Sequence, residues 1–178
     1  NVIAVHPSFP AKDYKTFIDT LQKNPGKYSY GSAGNGSVGH MLAELYKSMA
    51  KVYVTHIPYR GSGPALNDVV AGQLPIIVDN LPSALPFIKD KRLIPIVVAA
   101  PKRLATLPDV PTFAEVGLAS VNRMSFLGVS APKGTPKEVV DKLNAAVKAA
   151  LADASVKGRI EATGAIVVGN SAEDYQKQ

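Results

Sequence analysis

The sequence predicts an α/β lobe on a mainly parallel, doubly wound sheet. Three observations lead there. Strand-like and helix-like segments alternate from Val2 to Ala99, the turns after successive strands are rich in Gly, Ser and Pro, and this rhythm breaks at a proline-braced segment, Pro101 to Leu118.

The chain opens within a buried-looking strand, Val2 to Val5, with no initiator Met and no leader-like segment, and reads as part of something longer. Tyr14, Phe17, Ile18 and Leu21 fall at i, i+3, i+4 and i+7, one apolar face of a helix that Asn24-Pro25-Gly26 ends. Tyr28 to Tyr30 is a short strand leading into a glycine-rich turn. Leu42, Leu45, Tyr46 and Met49 repeat the helical spacing and predict a helix over residues 37–50 with Leu42, Leu45 and Met49 in the core. Val52 to Ile57 is the next strand. A helix follows with Leu66, Val69 and Val70 inward, ending at Gly72. Pro75 to Val78 is a strand, Ser83 to Lys89 a helix and Ile94 to Ala99 a strand. Beyond the prolines, which leave room for at most a short helix at Thr112 to Val116, Phe126 to Ala131 reads as a strand. Thr135-Pro136-Lys137-Glu138 carries a capping-box pattern with Thr135 as N-cap, opening the longest helix in the chain. A helix at Ser155 to Thr163 and a strand at Ala165 to Val168 follow, and the polar stretch 173–178 has the character of first helical turns.

Composition narrows the function classes. Of 178 residues, 46% are apolar and 19% charged, the profile of an ordinary globular chain. Cysteine is absent, which removes disulfides, iron–sulfur clusters, thiolate zinc sites and cysteine nucleophiles. The longest apolar runs fall far short of the ~20 residues that span a bilayer. The charge of +6 (20 basic against 14 acidic residues) is scattered and has no aromatic stacking platform beside it, so no nucleic-acid partner is expected. The three histidines have no metal-ligand spacing, and neither metal nor cofactor is predicted.

In doubly wound sheets, ligands lie beyond the carboxyl ends of the strands. The segments there are Gly31-Ser32-Ala33-Gly34-Asn35-Gly36-Ser37, Pro58-Tyr59-Arg60-Gly61-Ser62-Gly63, Asp79-Asn80 and Ala100-Pro101-Lys102-Arg103. The first is the richest: its glycines permit a tight turn, and Ser37 opens a helix whose free amides and positive dipole end suit an anion. The alternative is a turn that merely joins strand to helix, with Ser37 as its cap. Gly34-x-Gly36-x-x-Gly39 also satisfies a dinucleotide fingerprint, but the expected acid about 20 residues on is missing from His56-Ile57-Pro58-Tyr59-Arg60. A small anion- or nucleotide-binding enzyme domain using this loop is therefore the alternative function. Ser37, His40 and Asp79 supply the residue types of a hydrolase, yet Asn35 occupies the first glycine position of a nucleophile elbow.

The runs YGSAGNGSVGHMLAEL, HIPYRGSGPALNDVVAGQL, DNLPSALPFIK, LATLPDVPTFAEVGL and GVSAPKGTPKEVVDKLNAAV, in this order, resemble the extracytoplasmic solute receptors of tripartite tricarboxylate transporters, often called Bug proteins. The resemblance implies a type II periplasmic binding protein: two α/β lobes joined by crossing strands, closing on a small carboxylate in the periplasm and passing it to membrane permease subunits without catalysis. It further implies that a first lobe of roughly 100 residues precedes a position like Asn1. Residues 1–124 would then form the second lobe, and residues 125–178 the return crossing strand and C-terminal helices of the first. By position, the ligand residues would be Ser32, Ala33, Gly34, Gly36 and Ser37, with His40 behind them and Tyr59, Gly61 and Asp79 on the same edge. The family usually has Trp where Phe126 stands and a polar residue where Pro75 stands; neither departure touches the loop. The wide apolar face of the helix after Thr135 would be free to recruit a partner if the first lobe did not cover it.

Overall fold

A computed structural model describes residues 1–177. The chain divides into two compact units, Asn1–Ser125 and Phe126–Gln178.

The first unit is a five-stranded sheet flanked by helices. Its strands are β1 (Val2–Val5), β2 (Ser29–Ser32), β3 (Thr55–Pro58), β4 (Ile76–Asp79) and β5 (Ile94–Val98), in the order β3-β2-β4-β1-β5. β2 pairs in parallel with β3 and β4, whereas β1 runs antiparallel between β4 and β5. Four of the five strands thus point the same way, which makes the sheet mostly parallel, with one reversed strand near its middle. Alternation of strand and helix gives no sign of that reversal. Val2 to Val5 are buried on both faces, so this strand needs a partner at each edge, and it finds them in Ile76–Asp79 and Ile94–Val98.

The helices of this unit are α1 (Tyr14–Lys23), α2 (Val38–Ala50), α3 (Ser62–Val70) and α4 (Leu81–Lys89). They cover the two faces of the sheet with separate cores. Phe17, Leu21, Leu42, Tyr46 and Phe113 belong to one, and Leu66, Val69, Leu85 and Ile88 to the other. Asp13 caps α1 through the Thr16 amide, 2.9 Å away. One expectation needs correction: Leu45 and Met49 are not core residues but lie 37% and 47% exposed. α2 instead buries Gly39, Leu42, Ala43 and Tyr46, a face with the same helical spacing but rotated.

The segment at 112–116 is a turn, not a helix. It is held by Thr112 and Glu115, each of whose side chains accepts from the other's amide (2.8 and 3.2 Å). It extends the sheet beside β5, with Val98 N–H donating to Pro111 O and Phe113 N–H to Val98 O.

The second unit contains α5 (Lys137–Ala152), α6 (Ala154–Ala162) and α7 (Ala172–Gln176). α5 begins one residue later than the capping-box reading expects: Pro136 is the N-cap, and the Thr135 hydroxyl donates to Pro132 O at 2.8 Å instead of closing the helix end. Asp153 caps α6 through the amides of Ser155 and Val156. Phe126 to Ala131 and Ala165 to Val168 form no strands, because neither finds a pairing edge among the described residues. Leu127, Val129, Ile166 and Val168 are exposed, and so are Val139, Leu143 and Val147 on α5. Gln178, the end of the stretch read as first helical turns, lies outside the described residues.

Candidate functional site

Three consecutive parallel strands, β3, β2 and β4, deliver three helix N-termini to one edge of the sheet. α2 starts after β2, α3 after β3 and α4 after β4, so the positive ends of three helix dipoles and their unpaired first-turn amides gather there. Only α2 has a side-chain cap, the Ser37 hydroxyl accepting from His40 N–H at 3.3 Å. α3 is preceded by Gly61, and α4 by Asn80, which makes no capping bond. Segments 31–37, 61–63 and 79–81 contain no Lys or Arg, and Arg60 is exposed. An anion at this edge would meet amides and hydroxyls.

The glycine loop is a built structure. Gly34 and Gly36 have φ of 132° and 75°, which favour glycine, and a Cβ on Gly34 would lie 2.7 Å from Tyr59 O. Ser37 N–H donates to Gly34 O (3.1 Å), and Gly61 N–H donates to Ala33 O (2.9 Å), tying the loop after β2 to the loop after β3. Gly39 fills the role of close approach: a Cβ there would stand 2.2 Å from Val78 O, so only glycine lets α2 settle onto the end of β4.

The residues expected at the site all lie on this edge, in different roles. Ser32 is buried at the end of β2; its Oγ accepts from Gly34 N–H (3.1 Å) and lies 2.7 Å from His56 Nε2. Ala33 and Gly34 are half-buried, and Gly36 and Gly61 are open, with no atom near a built Cβ. The His40 ring faces the loop from α2, and its Nδ1 accepts from Gly36 N–H at 3.1 Å. Tyr59 contributes its backbone; its hydroxyl donates to Asp68 at 2.6 Å, and that bond pushes the phenol up to about 12. Asp79 is buried at the end of β4, with Ser62 donating to Oδ1 at 2.8 Å and Oδ2 unpartnered. Burial raises its pKa, and the Ser62 bond opposes that shift.

Several edge residues escaped the sequence reading. His56, taken as a polar strand end, is sandwiched between Tyr30 (4.8 Å between centroids) and His40 (4.1 Å). Ser125, the last residue of the unit, donates toward Asn80 Oδ1 (2.7 Å) and Asn1 Oδ1 (3.0 Å), so the two ends of the unit meet beside the site. Asn122 clamps the backbone of Ala100 at both its N–H and C=O. A lone Ser or Asn carries no spacing signal, and the juxtaposition depends on β1 lying inside the sheet.

Ser37 spends its oxygen on a helix cap, the His40 imidazole engages Gly36 and His56, and Asp79 bonds Ser62, so no hydrolytic triad assembles. No group of three metal-ligating side chains occurs among the described residues.

The whole chain, residues 1–178, matches the family described as the tripartite tricarboxylate transporter family receptor. It is 36% identical over 174 residues to the UPF0065 protein in the tcbD-tcbE intergenic region of Pseudomonas sp. strain P51, covering 97% of this chain and 52% of that protein. It is 29% identical over 167 residues to protein BugT of Bordetella pertussis, covering 94% and 51%. Among solved structures, a periplasmic transporter matches with a TM-score of 0.94 and 45% identity over 99% of this chain and 59% of that one. R. palustris Rpa4515 with adipate matches at 0.92 and 35% over the same shares. MatC from Rhodopseudomonas palustris with bound malate matches at 0.79 and 34% over 93% and 56%. The chain thus spans about half the length of the curated relatives it matches. With the whole of its length matched, the chain belongs to the tripartite tricarboxylate transporter receptor family.

Proposed function

We propose that this chain is the second lobe, with C-terminal elements of the first, of a periplasmic receptor that captures a small carboxylate and presents it to membrane permease subunits without chemical change. The observation that carries this reading is the convergence of three helix N-termini on one sheet edge, where segments 31–37, 61–63 and 79–81 hold no Lys or Arg and Arg60 of the β3–α3 loop is exposed. Such a site recognises a carboxylate through N–H groups, hydroxyls and dipoles. Hydrogen bonds to a charged group contribute about 1.5–3 kcal/mol each, and a favourably placed, partly buried helix end adds up to ∼2 kcal/mol. Two solved relatives are described with adipate and malate, both dicarboxylates, which supports the same ligand class here.

In this reading the boundary falls at residues 124/125, and the unpaired segments Phe126–Ala131 and Ala165–Val168 pair with a first lobe that also covers the exposed face of α5. Where that lobe is absent, the α5 face is open to association. Half of the ligand's contacts and the closure that excludes water would also come from the first lobe. Calorimetric titration of the 178-residue chain with adipate, malate and citrate is expected to show millimolar affinity. Micromolar affinity for any of them would overturn the two-lobe account, and binding of amines in place of acids would overturn the carboxylate.

A further inference from the structure

Beneath the glycine loop lies a pair of histidines that anion capture by amides does not require. His40 and His56 stack nearly face to face, 4.1 Å between centroids and 16° between planes, and Tyr30 stacks on the far side of His56. Both imidazoles are wired to the loop. His40 Nδ1 accepts Gly36 N–H at 3.1 Å; His56 Nε2 lies 2.7 Å from Ser32 Oγ, which in turn accepts Gly34 N–H at 3.1 Å.

The two rings differ in what a proton would do. A proton on His40 Nδ1 would set two donors against each other and break the bond to Gly36. His56 can be charged with every hydrogen bond kept. When neutral with its proton on Nδ1, it accepts from the Ser32 hydroxyl. When charged, its Nε2–H donates to Ser32 Oγ, and the hydroxyl turns to Gly34 O, already 3.2 Å away. Ser32 is a rotor that serves both states. We propose that His56 is a charge-specificity residue of the carboxylate site: it takes up a proton when an anion occupies the glycine loop, two hydrogen bonds from the Gly34 amide, so that anion capture and proton uptake are coupled. The proposal rests on the carboxylate-receptor reading and deepens it by supplying a positive charge that forms as the anion binds.

The groups facing His56 are compatible with this role. His40 and Lys47 from α2 disfavour its charged form, Glu44 from the same helix favours it, and Tyr30 from β2 adds a neutral face whose hydroxyl is committed to Glu44 at 2.8 Å. Lys47 is itself paired with Glu44 at 2.8 Å. Burial is the largest influence and holds His56 below the ordinary histidine value, with the stacked His40 acting the same way. The residue is therefore neutral without ligand at neutral pH, and a nearby carboxylate is the influence that shifts it upward. By linkage, whatever raises the His56 pKa on binding must tighten binding as pH falls through that range, by about tenfold for each unit of rise.

The test uses adipate and the uniformly 15N-labelled chain. Two-bond 1H–15N spectra of the imidazoles follow both histidines from pH 8 to pH 6, with and without saturating adipate, while amide shifts of the loop give the affinity at each pH. The expected result is a His56 titration displaced upward by adipate, with binding several-fold tighter at pH 6 than at pH 8. His56→Gln, which keeps a partner for Ser32, is expected to lose the pH slope; His40→Asn, which keeps an acceptor for Gly36, is expected to retain the slope. Adipate binding that is independent of pH, or a slope that survives in His56→Gln, overturns the proposal while leaving the receptor reading intact. Absence of any loop response to adipate at either pH overturns the receptor reading, and this coupling with it.

Discussion

Placing a methyl group on Gly39 tests whether the architecture of the site depends on one close approach. Gly39 sits in the first turn of α2, and a Cβ there would meet Val78 O at 2.2 Å, Val78 C at 3.0 Å and Asp79 Cα at 3.5 Å. All three atoms are backbone at the end of β4, so no flexible side chain can yield. To restore ordinary contact, the start of α2 would have to retreat by about 1 Å, pulling Ser37 and the glycine loop away from β4. Overpacking of this kind costs about 1–3 kcal/mol, which for a unit of this size lowers the melting temperature by roughly 3–10 °C. Two control glycines calibrate the effect. Gly63 lies at the second position of α3 with nothing near a built Cβ and no positive φ, so Gly63→Ala is expected to be neutral or to stabilise by about 0.5–1 kcal/mol. Gly36 has open space but a φ of 75°, so Gly36→Ala is expected to cost about 1–2 kcal/mol through the backbone alone. Thermal melts followed by circular dichroism, with urea titration for the free energies, rank the three. If Gly39→Ala melts with the parent, α2 does not rest on β4 at contact distance, and the geometry of the site as described fails.

Three further predictions test separate parts of the structure. Ser37→Ala removes the only side-chain cap at the site and is expected to cost about 1 kcal/mol of stability, with Ser37→Asp restoring most of it in the same melts. Leu42→Ala is expected to cost about 2–5 kcal/mol because Leu42 is buried, whereas Met49→Lys, on the exposed face, is expected to stay within ~0.5 kcal/mol of the parent; a comparable cost for Met49→Lys would restore the face expected from hydrophobicity. Burial raises the Asp79 pKa, so its ionised form penalises the folded state; the penalty builds as pH rises from the ordinary aspartate range through the raised value and is complete above it. Asp79→Asn is therefore expected to stabilise the chain at pH 7 and to change little at pH 3, read from urea midpoints.

What could be read in advance follows from the range of the forces involved. The strand-to-helix alternation of the first unit and the glycine loop are local patterns, and both stand in the structure, although β3 runs from Thr55 to Pro58 and not from Val52 to Ile57. The buried face of α2 went astray because residues 39, 42, 43 and 46 have the same spacing as 42, 45, 46 and 49, and the second set is the more apolar. Packing chose the set with Gly39 and Ala43, since small residues let the helix come close to Val78, and a hydrophobicity pattern cannot express proximity. The place of β1 is set by pairings across more than seventy residues, Val2 with Asp79 and Val2 with Val98, which no local window contains. Phe126–Ala131 and Ala165–Val168 have strand composition but no edge to join among the described residues, so propensity alone leaves them unpaired. At the site, Ser32, Gly34 and Ser37 were legible because glycines and a cap mark the loop. His56 was not, because its role comes from Tyr30, His40 and Ser32 arriving at its ring from two other elements.

Whether amides at the sheet edge, and not a cationic side chain, receive the carboxylate is read by amide chemical-shift mapping of the 15N-labelled chain during titration with adipate. Dose-dependent shifts are expected at Ala33, Gly34, Val38 and Gly39 and at Gly61 to Gly63, with the guanidinium resonances of Arg60 and Arg103 unmoved. Shifts confined to those arginines and to Lys102, with the glycine loop silent, would contradict capture by amides and place the anion on an arginine clamp.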